Sequence, residues 1–247
     1  MEQKRENGDW NGFRKEEFEF EGTPASLVFP DGTANSRWLL KTEYRDAFPG
    51  VEIELLKHGF HVAYLKNRTR FATRDDCDAK ARFAAYLHDK RGLSGTCVPI
   101  GLSCGGAHAF NFAGFHPELT ECIYVDAPVL DFSDFPGRTG DSECERVWDA
   151  EFVKAYPGVT RAMLSTFGNH PIGKAGILKQ HRIPILMLYG TEDKTVNYAS
   201  NGGLLEREYA DAPELLTVIP RKGQGHHPHG GLRDLTPVTK FILNHHK

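Results

Sequence analysis

Long apolar runs are missing from this 247-residue chain, and no uninterrupted stretch reaches the length that a membrane span requires. The first twenty residues, MEQKRENGDWNGFRKEEFEF, are polar and charged and lack the apolar segment of a secretory signal, so the expectation is a cytoplasmic protein. Cysteine is sparse and scattered: Cys77, Cys97, Cys104, Cys122 and Cys144 are odd in number, and none forms C-x-x-C. That pattern argues against a disulfide framework or a zinc knuckle and reads as free thiols in a reducing compartment. The chain also lacks a basic stripe or a basic patch interleaved with aromatics. With a formal net charge of -3, it gives no reason to expect nucleic acid as a partner.

Repeats, low-complexity tracts and Pro/Gly-rich linkers are absent too, which leaves a single domain over residues 1–247 as the expectation. What is present is alternation. FRKEEFEFEG and PASLVFPDG read as an opening strand pair; SRWLLKTEY, FHVAYLKN, TCVPIGLS, ECIYVDAP, HRIPILMLYG and LLTVIPRKG read as further strands. Between them lie helical patterns. PGVEIELLKHG ends at Gly59, and DDCDAKARFAAYLHDKRG starts acidic and ends at Gly92. Short apolar strands alternating with helices predict an α/β class with a mainly parallel sheet covered on both faces. The rhythm breaks once, over Leu130 to Gln180, where Pro136, Gly137, Gly140, Pro157, Gly158 and Pro171 surround short helical pieces. This segment, 130–180, is expected to be a small cap insertion that walls a pocket, with Phe132, Phe135, Trp148 and Phe152 either lining it or forming the segment's own small core.

The chemistry is concentrated in VPIGLSCGGAHAFNFAG, Val98 to Gly114, where a strand turns into a helix through Gly101-Leu102-Ser103-Cys104-Gly105. G-x-S-x-G at that junction is the spacing of a nucleophile on a tight turn: small residues two places either side keep helix and strand from colliding. Ser103 would be the nucleophile, and the N–H of Cys104 would face the site from the helix start as an oxyanion donor. The cysteine's thiol is read as a packing residue.

A serine on such a turn needs a base, and its acid and histidine follow later in the chain in that order. ILMLYGTEDKTV supplies the acid after an apolar strand. Asp193 is preferred, with Glu192 and, after the earlier strand, Asp126 as alternatives. VIPRKGQGHHPHG then supplies histidines. His226, following Gly225, is the expected base and His227 the second choice. His226, His227 and His229 with Asp234 could be read as metal ligands, but their spacing fits no zinc signature, so no metal and no cofactor are expected.

On these motifs the chain resembles the α/β-hydrolase superfamily from about Phe20 to the C-terminus. It is similar in particular to a group of bacterial hydrolases with KTEY…AFP, S-x-GG and GHHPH segments, some related to prolyl-oligopeptidase-like and carbohydrate esterase branches. The resemblance implies the α/β-hydrolase fold and serine-dependent hydrolysis of a carboxylic ester of small-molecule size. A serine peptidase, an aminoacyl hydrolase or an acyltransferase would use the same residues, and a catalytically silent binding scaffold is the alternative from a different class, against which the intact Ser, Asp and His set argues. Many members carry His-Gly where this chain has Thr42-Glu43 in LLKTEYRDAF, which implies the N–H of Tyr44 as the second oxyanion donor. Glu43 would then stand near the reacting centre, able to pair with Lys41 or to bind a substrate hydroxyl or ammonium. His227 and Trp148 are further candidates for substrate contact. Asn67, Arg68 and Arg70 are expected at the pocket mouth, which would favour a short acyl chain on a polar alcohol such as an acetylated sugar.

Overall fold

A computed structural model describes residues 6–134, 142–226 and 232–245, with the side chains of residue 6 and residues 142–148 left aside. The expectations for Phe135, His227 and His229, and for the side chains of Trp148 and Cys144, fall outside the described residues.

Among the described residues nine strands form one sheet. In chain order these are β1 (Glu6–Trp10), β2 (Phe13–Phe20), β3 (Thr23–Val28), β4 (Trp38–Lys41), β5 (His61–Leu65), β6 (Val98–Leu102), β7 (Ile123–Asp126), β8 (Ile185–Gly190) and β9 (Leu216–Arg221). Their spatial order is β1-β2-β3-β5-β4-β6-β7-β8-β9. The first three are joined by hairpins, and β3 lies antiparallel to β5. From β5 to β9 every pairing is parallel. The expected opening pair is therefore extended by β1, whose polar ENGDW carries no apolar alternation to betray a strand.

Helices α1 (Gly50–Lys57) and α7 (Thr236–Asn244) cover one face; α2 (Arg74–Arg91), α3 (Cys104–Phe115), α5 (Ala175–Gln180) and α6 (Gly202–Glu208) cover the other. The strands show why both faces need cover. Leu186 and Leu188 of β8 pack with Val51, Leu55, Val238 and Ile242, whereas Ile185 and Met187 turn to Ala109, Leu178 and Leu205. Period-two alternation with apolar residues on both sides yields the continuous apolar runs that buried parallel strands carry. Each large side chain so buried contributes roughly 1.5–3 kcal/mol. Helix ends follow local chemistry. Thr73 caps α2 by accepting from the Asp76 N–H at 3.3 Å, and Gly92, at φ 70°, closes it in the left-handed region.

The interrupted segment contributes α4 (Ser142–Ala155) and several short 3-10 turns. Phe132 and Phe152 are 1% and 4% exposed. They pack edge-on against Phe71 at 5.4 and 5.0 Å, with Tyr156 and Phe167 beside them. They therefore form the small core under this segment, one of the two roles expected of them, and not a pocket lining; aromatic rings at this density bury one another first.

The expected pairing of Lys41 with Glu43 is also corrected. Lys41 ends β4 and sends its ammonium toward α1, where it meets the Glu52 carboxylate and donates to Ala47 O at 3.2 Å. Both partners are almost wholly buried. Glu43 lies past the strand's end and turns the other way. Breaking such a buried pair from one side strands a charge. Lys41→Met should lower unfolding free energy by about 3–5 kcal/mol, and Lys41→Met/Glu52→Met should recover most of it, both read from urea denaturation midpoints.

Candidate active site

Ser103 sits between β6 and α3 at φ 54° and ψ -119°, a conformation that L-residues adopt only under constraint. Three backbone hydrogen bonds impose it. The Ser103 N–H donates to Asp126 O at 3.0 Å, and Ser103 O accepts from Gly106 at 2.9 Å and Val129 at 3.0 Å. The glycines are required by contact. A Cβ on Gly101 would lie 2.3 Å from Gly105 O, and one on Gly106 would lie 2.3 Å from the Pro128 Cβ. A Cβ on Gly105 would come within 3.2 Å of the Glu43 Cβ and Thr42 Oγ1. The second glycine of the GG pair, which sequence reasoning left without a role, is thus as constrained as the first.

Asp193 follows β8. Its Oδ1 accepts the N–H groups of Thr195 at 2.8 Å and Val196 at 3.0 Å, which aims Oδ2 at His226. The histidine loop is pressed onto the same strand end: Glu192 N–H donates to Gln224 O at 2.9 Å, and Gly190 is bare because a Cβ there would meet Gln224 O at 2.3 Å. His226 Nδ1 then stands 2.8 Å from Asp193 Oδ2, and Nε2 stands 3.1 Å from Ser103 Oγ. Ser103 and His226 are each 7% exposed.

Burial pushes the Asp193 carboxyl upward, but hydrogen bonds from His226, Val196 and Thr195 outweigh it and hold the group below the usual aspartate range. An ionised carboxylate only accepts. The proton therefore sits on His226 Nδ1, leaving the Nε2 lone pair toward the serine hydroxyl, which donates to it.

The alternatives separate on the same geometry. Glu192 is exposed. Asp126 is fully buried and accepts from Arg221 Nη2 at 2.6 Å, while both ring nitrogens of His226 are already engaged by Asp193 and Ser103. Cys104 is buried, and burial pushes its thiol up to about 12; its sulfur accepts from the Tyr44 hydroxyl at 3.3 Å. A thiol held protonated is a poor nucleophile. The Cys104 N–H heads α3, among the donors that a helix start leaves unpaired. Tyr44, at φ 51°, turns the chain beside it.

Glu43 is half-buried. Its carboxylate accepts from Asn67 Nδ2, which also donates to Thr42 O at 2.7 Å, and Asn67 Oδ1 in turn accepts from the fully buried Lys80 ammonium. Burial raises the Glu43 carboxyl above its ordinary value, against the Asn67 hydrogen bond, the Lys80 charge and the Tyr44 N–H. Beside it opens a cavity of about 310 Å³. Asn67, Arg68 and Arg70 line it as expected from sequence, together with Glu43, Thr69 and, from α4, Glu151 and Lys154. Sequence reasoning missed Lys80, Glu151 and Lys154. The i, i+3 spacing of the last two was the available signal.

No protein-family model matches the chain, and no curated protein matches it. Solved structures do. Dipeptidyl peptidase 4 of Porphyromonas gingivalis superposes over 99% of this chain with 15% identity and a TM-score of 0.67. Est1E from Butyrivibrio proteoclasticus covers 97% with 14% identity and a TM-score of 0.62, and an S-formylglutathione hydrolase from Agrobacterium tumefaciens covers 97% with 14% identity and the same score. The chain spans 35% of the peptidase but 98% and 95% of the other two. At such identities the likeness is one of fold: the chain has the α/β-hydrolase fold.

The depressed Asp193 carboxyl carries a signed consequence. Its contribution to stability is fully present above the unfolded value near 3.8 and fades as pH falls toward its lower folded value. Urea denaturation from pH 6 to 3 should therefore show a steeper loss in the wild type than in Asp193→Asn.

Proposed function

We propose that this chain is a serine hydrolase acting on carboxylic esters. The observation that carries the reading is the file Ser103 Oγ, His226 Nε2, His226 Nδ1, Asp193 Oδ2, continuous at hydrogen-bond distance on a left-handed turn at a helix start. Ser103 Oγ adds to the ester carbonyl carbon as its proton passes to His226 Nε2. The Cys104 N–H receives the oxyanion, a donor worth about 10²–10³ in rate; the Tyr44 N–H, expected as the second donor, is directed at the Glu43 carboxyl. The imidazolium, steadied by Asp193, returns the proton to the alcohol oxygen as the carbon–oxygen bond breaks, leaving acyl-Ser103. Water, deprotonated by His226, then adds to the acyl carbon. Ser103 leaves with the proton, and the free acid departs. The scheme needs no metal and no cofactor.

Peptide hydrolysis by the same residues is the second reading, favoured by the likeness to dipeptidyl peptidase structures. A matched panel of p-nitrophenyl acetate and dipeptidyl p-nitroanilides separates the two.

Ser103→Ala should abolish both p-nitrophenyl acetate turnover and covalent labelling by a fluorophosphonate; turnover that survives would sink the assignment. Asp193→Asn should lower kcat by about 10⁴, because the imidazole then takes the wrong tautomer.

A further inference from the structure

The cavity beside Glu43 differs from an ordinary ligand pocket in its lining. Such pockets are mostly apolar with a few polar anchors. Here each of the seven lining residues is polar or charged. Its space of about 310 Å³ corresponds to roughly ten waters at about 30 Å³ each. It adjoins the serine turn through Glu43, which packs against Gly105, two residues from Ser103.

Glu43 is prepared for a ligand rather than merely solvated. Lys80 can only donate, so the Asn67 amide must present its oxygen to Lys80 and its nitrogen to Glu43 and Thr42 O. That chain, anchored by a wholly buried ammonium, fixes one carboxylate oxygen and the direction of the other. Around the opening stand Arg68, Arg70 and Lys154, with Glu151 tied to Arg70 at 3.4 Å and Asp75 to Arg68 at 3.8 Å. Lys154 has no ion-pair partner among the described residues.

These charges discriminate between ligand classes. An alkyl chain would leave the polar lining desolvated. An ammonium drawn to Glu43 would have the Lys80 ammonium behind it and Lys154 at the opening, while Arg70 and Arg68 are offset there by Glu151 and Asp75. A hydroxylated group suits both kinds of lining, because each hydroxyl donates to a carboxylate and accepts from a cation. We propose that this cavity holds the sugar part of a carbohydrate ester, with Glu43 accepting a ring hydroxyl and Arg68, Arg70 and Lys154 donating to neighbouring oxygens. The inference rests on the serine esterase reading above and names its substrate class.

The test compares kcat/KM for an acetylated methyl glycoside with that for ethyl acetate. The wild type should favour the glycoside at least tenfold, and Glu43→Gln should lower that ratio tenfold or more. Glu151→Trp, placed on a cavity-lining residue of α4 and intended to fill the space, should lower it similarly and serves if Glu43→Gln does not fold. Binding is read without chemistry by saturation-transfer NMR of methyl glycoside on Ser103→Ala, a signal that Ser103→Ala/Glu151→Trp should lose. Fluorophosphonate labelling with no glycoside preference, or a preference that both variants keep, would overturn the sugar site and leave the esterase reading standing. Preference for an aminoacyl ester would overturn it as well. Failed labelling together with a retained glycoside signal would instead remove the esterase reading.

Discussion

The turn at Ser103 is the constraint from which the rest of the site follows. Holding a non-glycine residue at positive φ is unfavourable by about 1–3 kcal/mol, and it persists only where the surroundings over-determine it. Here they do: Ser103 is hydrogen-bonded through both its N–H and its carbonyl, and the strand and helix on either side approach so closely at Gly101 and Gly105 that a Cβ on Gly101 would collide with the helix backbone. Because Asp126 O and the Val129 N–H are among the partners, β7 and the chain leaving it help hold the turn. The serine's position is therefore a property of the sheet.

The loop after β4 is fixed by a second set of contacts. Thr42 Oγ1 lies 2.9 Å from Ile100 O and 2.7 Å from Gly105 O, so it straddles the strand before the turn and the helix after it. Below, Lys41 is locked to Glu52; to the side, Asn67 takes Thr42 O. Three successive residues, Lys41, Thr42 and Glu43, thus engage α1, α3 and the Asn67–Lys80 pair in turn. Buried charges of this kind contribute little net stability, and less than apolar residues of the same volume would. What they supply is a single geometry for the backbone that carries the Tyr44 N–H.

Local pattern carried much of this into the sequence. Apolar runs with glycine and proline at their ends marked the parallel strands, and motif together with chain order favoured Ser103, Asp193 and His226; the structure places the first two each within hydrogen-bond distance of His226. The misses share a cause. Lys41 with Glu52, Asp126 with Arg221 and Asn67 with Lys80 are partners brought together by sheet order or helix packing, and no period of 2 or 3.6 reports them. The strand β1 escaped for the opposite reason: it sits at the sheet's edge, where charged and polar residues are the rule. For Phe132 and Phe152 two roles stayed open, because composition does not distinguish an aromatic that covers a site from one that packs beneath it; burial decides for the second.

The two sides of the turn are made of different material, and helix geometry explains how one short segment serves both. Successive residues in a helix point about 100° apart. Cys104 therefore faces Tyr44 and the aromatic cluster of Phe71, Phe132 and Phe152. Gly105 faces Thr42 and Glu43, and Gly106 faces Pro128. Each neighbour lies at van der Waals distance or closer, so each of the three positions tolerates only a small residue, and the run S-C-G-G records three separate contacts. The aromatic cluster and the polar cavity share their carriers: Phe152 of α4 is buried between Glu151 and Lys154 of the cavity, and Phe71 follows Arg70, so the packed core holds the polar lining in place beside Glu43.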